Sequence, residues 1–415
     1  TQKSQGLTDM CFVTVPHPLG MISKEEVNAK VDAAFDDIVK AATAWTPSKE
    51  KQDAQVKPYP AKRFKFSGTY ADVNDMFQKR KWSLSLPIVP PTVDKVAAML
   101  KGTKRNPAEV LWVVPPRQGM LTVELVAALG VMAGAKPEHM PLLIATVEAM
   151  ADPVAAWRGP TTTTAATVPV FFISGPIIEK LKLNPGTGTA GGENPVTNAL
   201  GYFVNLVGDV VGGSVPPNFD KSTHGSSADL VAMVFTENAK ENPWKTTYAE
   251  EAGFKPGDSI VTHFSAYLGN ANIDHDSKTG QRLLTTLSTG LLGSASGLAS
   301  CLADYDATYA INNKVSFAFI VLCPEHAATI AKDFPDQRAA RDFMRETAAM
   351  PYKFYSQETC VPGKDFGPYD ENTFIPRFKK TESIKFFVSG GPGKQSQIWV
   401  PFPQVFKPVS KKIAE

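Results

Sequence analysis

Cysteine is scarce in this chain: Cys11, Cys301, Cys323 and Cys360 are the only four in 415 residues. They are far apart and match no zinc-ligand spacing, which argues against a zinc-ribbon class. In a chain this long they read as reduced thiols rather than a disulfide framework, and the expected compartment is the cytoplasm. Charge of one sign is also missing. Lys and Arg number 43 against 41 Asp and Glu, a net +2, so nothing electrostatic calls for nucleic acid or an anionic membrane as partner. Long hydrophobic runs are absent too. The best candidate, 283–302, is broken by Ser, Thr and Gly and reads as a buried helix rather than a membrane span. The opening TQKSQGLTDM is polar, unlike a secretory leader. Its Thr1 start reads as removal of a methionine or as cleavage from a longer precursor, the latter leaving a terminal threonine nucleophile.

What is present is an ordinary globular composition, 43% hydrophobic and 20% charged, in a chain long enough for two or three domains. CFVTV (11–15) reads as a strand. Ser23 with Glu26 forms a capping box that opens a helix reaching about Thr43. One strand and one helix cannot bury a core, so 1–45 is an incomplete unit. The charged, Pro-punctuated stretch that follows reads as a linker or arm over 46–81. From 82 onward strands alternate with helices. Strands are expected at 109–114, 168–173, 228–236, 259–267, 316–323 and 384–391, the last of them. Helices are expected at 93–100, 122–133, 137–150, 195–211, 280–303, 324–332 and 335–349. This alternation predicts an α/β fold of layered sheets with flanking helices. Pro-Glu-His recurs at 137 and 324, each time opening a helix, and suggests two similar α/β halves.

The richest segment is 184–194, NPGTGTAGGEN, with a helix opening at Pro195. Glycines allow close backbone approach, and a helix start aims unpaired N–H groups at an anion or carbonyl oxygen. Gly186, Gly188, Gly191, Gly192 and Asn194 are therefore candidate substrate-binding residues; a purely structural turn is the alternative. Gly186, Gly188 and Gly191 also match the dinucleotide fingerprint, but some twelve residues separate them from the strand and no acidic partner follows.

Asp220, Lys221, Ser222 and His224 form a second polar loop, read as a substrate loop rather than a triad. Glu138 and His139 in a helix's first turn are candidate proton-transfer groups, or simply a surface helix start. His326 sits where a strand passes into a helix, three residues after Cys323, which is either a helix-capping thiolate or an inert buried thiol. Arg117 could clamp a carboxylate or sit in a surface ion pair. His263, Asp274, His275 and Asp276 leave a metal-dependent lyase or hydrolase open as an alternative. No metal is expected on the favoured reading, and no cofactor is identified.

Several segments occur together in order: WSLSLPIVPPTVDKVAAML, PPRQGMLTVELVAALGVMAGAKPEHMPLLIATVEAM, SGPIIEKLKLNPGTGTAGGENPVTNALG, DKSTHG, ENPW, LCPEHAATIAKDF and VSGGPGK. Over roughly 82–400 they resemble the UGSC-type (seleno)protein family, named for a selenocysteine/Cys-Gly-Ser-Cys motif. QGLTDMCFVTVPHPLG with its following helix resembles the closing part of that family's thiol-motif domain, and PHPLG also resembles glycine- and sarcosine-reductase selenoproteins. The motif itself is missing. The resemblance therefore implies a smaller partner subunit carrying the thiol or selenol, whose domain 1–45 completes. It further implies a hetero-oligomeric enzyme that cleaves a small polar molecule reductively or lytically. Ala135, where the family often has Cys, and Leu84-Ser85, where it has Asp-Gly, depart from the pattern. A non-catalytic substrate-binding or scaffold subunit is the remaining alternative.

Overall fold

The computed structural model describes residues 11, 13–16, 22–45, 59–216, 223–267, 269–293, 317–354, 370–378, 380–402, 405 and 407–414. The chain divides into two compact units, Thr1–Pro58 and Tyr59–Glu415. In the first, α1 (Lys24–Thr43) starts where expected. The Ser23 hydroxyl accepts the Glu26 amide, and the Glu26 carboxylate accepts the Ser23 amide. Its apolar residues Val31, Phe35 and Ile38 stay exposed. Of the strand expected at 11–15, the described residues lie outside any ladder.

The larger unit opens with α2 (Tyr70–Lys79), inside the stretch expected as an arm. A Thr69–Asp72 capping box starts it and Phe77 anchors it in the core. Then come α3 (Val93–Leu100), the hairpin β1 (Val110–Val114) and β2 (Gly119–Thr122), α4 (Val123–Met132) and α5 (Met140–Ala151). The strand expected at 109–114 is thus half-exposed; it ends at Val114, and Pro115-Pro116-Arg117 turns the chain back into β2. Next are β3 (Thr167–Ser174), α6 (Ile177–Lys180), α7 (Pro195–Asn205), β4 (Met233–Thr236), α8 (Tyr248–Glu251), β5 (Ile260–Tyr267) and β6 (Asn270–Ile273). The strand expected from 228 shortens to β4 because a 3-10 turn occupies Ser227–Asp229. After α9 (Gly280–Gly293) come β7 (Ala318–Leu322), α10 (Pro324–Asp333), α11 (Gln337–Thr347), β8 (Ala349–Pro351), β9 (Phe374–Pro376), β10 (Ile384–Val388), β11 (Gln395–Trp399) and β12 (Val409–Lys412). The end of the helix expected over 280–303 lies outside the described residues. The strand at 384 is not the last, since β11 and β12 follow it.

Two four-stranded sheets carry the architecture, ordered β4-β3-β5-β12 and β10-β7-β11-β6. Alternation along β3 and β7 shows what each face meets. Phe171 and Ile173 pack with α4, α5 and α7, while Ala318, Ile320 and Leu322 pack with α9, α10 and α11. Val168, Val170 and Phe172 instead share one cluster with Phe317, Phe319 and Val321. The order is helices, sheet, sheet, helices, an α/β fold.

The two halves match. In each sheet the first pair is parallel, the third strand antiparallel to the second, and the fourth antiparallel to the third. Ile173 pairs with Thr236 as Leu322 pairs with Val388. The Glu237 amide donates to Ile173 O as the Ser389 amide donates to Leu322 O. By this register the counterpart of Cys323 is Ser174, so the Pro-Glu-His echo at 137 and 324 is not the repeat. Pro137 opens a 3-10 turn after α4, whereas Pro324 opens α10 after β7; the shared residues reflect the preference of a first helical turn. The halves also exchange edges. The chain leaves β5 and pairs as β6 with β11, then leaves β11 and pairs as β12 with β5.

Candidate functional site

In open α/β sheets, ligand chemistry concentrates beyond the carboxyl ends of parallel strands. Here those ends from both halves adjoin. Glu237, just after β4, bridges Ser389, just after β10. The Asn238 amide donates to Val388 O at 2.8 Å and the Ser389 hydroxyl to Thr236 O at 2.7 Å.

The glycine-rich loop sits at this junction. The Thr189 and Thr236 hydroxyls are 2.7 Å apart, and the Thr236 hydroxyl donates to Asn184 O at 2.6 Å. Several loop amides are spent internally: Gly186 on Asn184 Oδ1, Thr189 on Gly186 O, Gly191 on Gly188 O and Asn194 on Gly191 O. Asn194 is 1% exposed, its Nδ2 donates to Asn184 O and Thr189 O, and its Oδ1 has no hydrogen-bond partner among the described residues. Gly188 (φ +74°) and Gly192 remain exposed. The loop is open to solvent, but no hydrogen bond joins it to a histidine among the described residues.

The 389–394 turn links this loop to the second half. Its Gly390 amide donates to Pro185 O at 2.9 Å. Its Gly393 and Lys394 amides donate to Glu325 Oε2 at 2.6 and 2.9 Å. A Cβ on Gly391 would lie 2.1 Å from Thr187 Oγ1 and 2.9 Å from Thr187 N. Gly391→Ala is therefore expected to cost about 1–3 kcal/mol. Chemical denaturation, with limited proteolysis reporting new cleavage within 184–194, checks this.

At the other end of the turn, Cys323 is the N-cap of α10 and His326 lies three residues on. The His326 ring and amide and the Gln395 amide lie where, as donors, they favour negative charge on the Cys323 sulfur. Burial pushes the thiol up, yet these donors outweigh it and hold Cys323 below the ordinary thiol value. Burial pushes His326 down, but Cys323 and the Asp274 carbonyl outweigh it and raise the imidazole. His326 Nε2 donates to Asp274 O at 3.1 Å, and Nδ1 is 2.8 Å from Ser396 Oγ. Each partner thus favours the charged form of the other. By register, the first half has Ile177 and Val261 where this half has His326 and Ser396; the shared fold does not require the polar set.

No family model, curated protein or solved structure matches the chain.

The other expected residues lie apart from this cluster. His139 is buried, which holds it below the ordinary histidine value, and Nδ1 accepts the Lys136 amide at 3.0 Å; Glu138 is exposed. His224 is exposed, beside a Thr223 amide that donates to Thr164 O, while Asp220, Lys221 and Ser222 lie outside the described residues. Arg117 is at the β1–β2 turn, its amide donating to Gly212 O at 2.8 Å. The metal candidates do not converge. His263 is in β5, stacked on Phe171 at 4.5 Å, and burial drives it down to about 3. The Asp274 carboxylate is consumed by Ser277 and Thr286 and held at about 2 despite partial burial. Among the described residues no three His, Cys, Asp or Glu side chains could hold a metal. None of the helices among those residues is long and apolar enough to cross a membrane.

Sequence reasoning missed Ser396, Ser174 and Glu237. Glu237 is 3% exposed, with Oε1 accepting the Tyr248 amide at 2.7 Å and Oε2 accepting the Ser174 hydroxyl. Its position immediately after an apolar strand was the available signal.

Proposed function

We propose that this chain is the large subunit of an enzyme that cleaves a bond in a small polar molecule, with Cys323 as its nucleophile. The observation that carries the reading is the place of Cys323 at the N-cap of α10 with His326 three residues on, where the ring and amide of His326 favour charge on the sulfur. A thiolate at a helix N-terminus beside an imidazolium is the arrangement that makes sulfur nucleophilic near neutral pH. Cys323 Sγ attacks an electrophilic carbon of the substrate and the imidazolium of His326 delivers a proton to the departing group. Water then releases the product from sulfur, its proton returning to His326. The exposed glycine-rich loop, tied to the same turn, offers the neighbouring surface for the substrate's polar groups.

Cys323 is 5% exposed, so the test uses a small reagent. Iodoacetamide labelling of the native chain is followed peptide by peptide by mass spectrometry across pH, with Cys11 as internal reference. The expected half-maximal rate for Cys323 falls below the ordinary thiol value of about 8.5. His326→Ala moves it upward. Labelling of Cys323 only after denaturation would overturn the reading.

The smaller thiol-bearing subunit belongs to the same proposal. Its support is α1, which leaves Val31, Phe35 and Ile38 exposed, Ala34 being the one buried apolar residue among the described residues of its unit. A cytoplasmic assembly follows from the thiol usage.

A further inference from the structure

A separate cleft of about 500 Å³ lies beside the end of α5, lined by Trp112, Pro115, Met150, Asp152, Trp157 and Arg158 among others. That is the size of a small-molecule pocket. Its walls are fixed. Trp157 is 4% exposed and meets Trp112 edge-on, ring centroids 5.8 Å apart at 74°. Behind it, the His263 ring stands 5.6 Å away. The turn that presents Trp157 places Ala156 in the left-handed region, φ +49°, a conformation a non-glycine residue adopts when its surroundings enforce it.

The charge in the cleft is one-sided. Asp152 is already satisfied: Oδ2 accepts Lys411 Nζ at 2.8 Å and Oδ1 accepts the Val154 amide at 3.0 Å. Arg158 is different. Its carbonyl anchors the turn by accepting the Thr161 and Thr162 hydroxyls, but its guanidinium has no ion pair among the described residues. The half-buried Trp112 indole, backed by the buried Trp157, and an exposed planar five-donor cation with no ion pair among the described residues select a flat apolar body carrying a planar anion. A cationic guest, which two indoles alone would suit, is repelled by Arg158.

We infer that this cleft is a binding site for an aromatic carboxylate, separate from the Cys323–His326 pair. The ring lies against Trp112 where it meets Trp157, and the carboxylate pairs with the Arg158 guanidinium. The test is calorimetric titration of the full chain with 2-naphthoate and with neutral 2-naphthamide, alongside Arg158→Gln and Trp112→Leu, each first shown to keep the wild-type unfolding midpoint. Saturable naphthoate binding is expected, weakened about tenfold in R158Q and in W112L, with the amide about tenfold weaker than the acid on the wild type. Three results would each overturn the assignment: no saturable naphthoate binding, equal affinity in wild type and R158Q, or an amide bound as tightly as the acid. None of these readouts depends on Cys323, so a failed thiol reading and a failed cleft reading are told apart.

Discussion

Replacing Phe172 by alanine is expected to destabilise the larger unit by about 3–5 kcal/mol, measured as the change in unfolding free energy in urea. Phe172 is fully buried where the two sheets face each other. Its ring stacks on Phe319 at 4.3 Å and on Phe235 at 5.4 Å, and meets Phe387 edge-on at 4.8 Å. Two of those partners, Phe319 and Phe387, belong to the other half, so the cavity opens against both sheets and neither collapses alone. Phe172→Leu retains most of the volume and is expected to cost less than about 1.5 kcal/mol. Because β6 and β12 are exchanged between halves, the loss should appear in one cooperative transition. A Phe172→Ala cost below about 1 kcal/mol, or two separated transitions, would contradict the face-to-face packing.

The strands that carry this core were legible for a physical reason. β3 and β7 are covered on both faces, so they read as continuous apolar runs that survive any choice of partner. The edge strands β6, β11 and β12, with sequences NANI, QSQIW and VSKK, are short and polar. What makes them strands is the reciprocal exchange, a tertiary event with no local signature. The site divides along the same line. Cys323 and His326 stood out because Cys-Pro-Glu-His follows an apolar strand. Ser396 did not, since its strand was not recognisable. The glycine-rich loop stood out by composition as a candidate substrate seat, and its place at the strand-end junction comes from tertiary contacts such as Thr189 with Thr236. Its internal hydrogen bonds, such as Gly191 to Gly188 O, depend on the particular turns it takes, which composition does not encode.

Glu237 leads to the second large effect, in the pH dependence of stability. Burial raises its carboxyl to about 7, against the lowering influence of the Ser174 hydroxyl and the Tyr248 amide, and Glu250 and Glu251 push in the same direction as burial. Arg341 and Lys385 are paired with Glu251. A carboxyl whose value is higher in the folded chain binds its proton more tightly there than in the unfolded chain. Its contribution is therefore complete below the unfolded value of about 4.5 and is lost as pH rises toward 7. At about 1.4 kcal/mol per pH unit, the full loss is on the order of 3 kcal/mol. Asp274 works in the opposite sense and in another window: held at about 2 in the fold, it stabilises above its usual value near 3.8 and loses that contribution only as pH falls toward 2. The two windows do not overlap, and the shifted histidines and Cys323 are common to wild type and Glu237→Gln, so urea unfolding of both proteins at pH 5 and pH 8 isolates Glu237 by difference. Wild type should lose about 3 kcal/mol more across that interval than Glu237→Gln, which cannot ionise yet still offers an oxygen to the Tyr248 amide. Parallel losses in the two proteins would mean that Glu237 is already ionised at pH 5, and that the junction between the halves holds a charge rather than a proton.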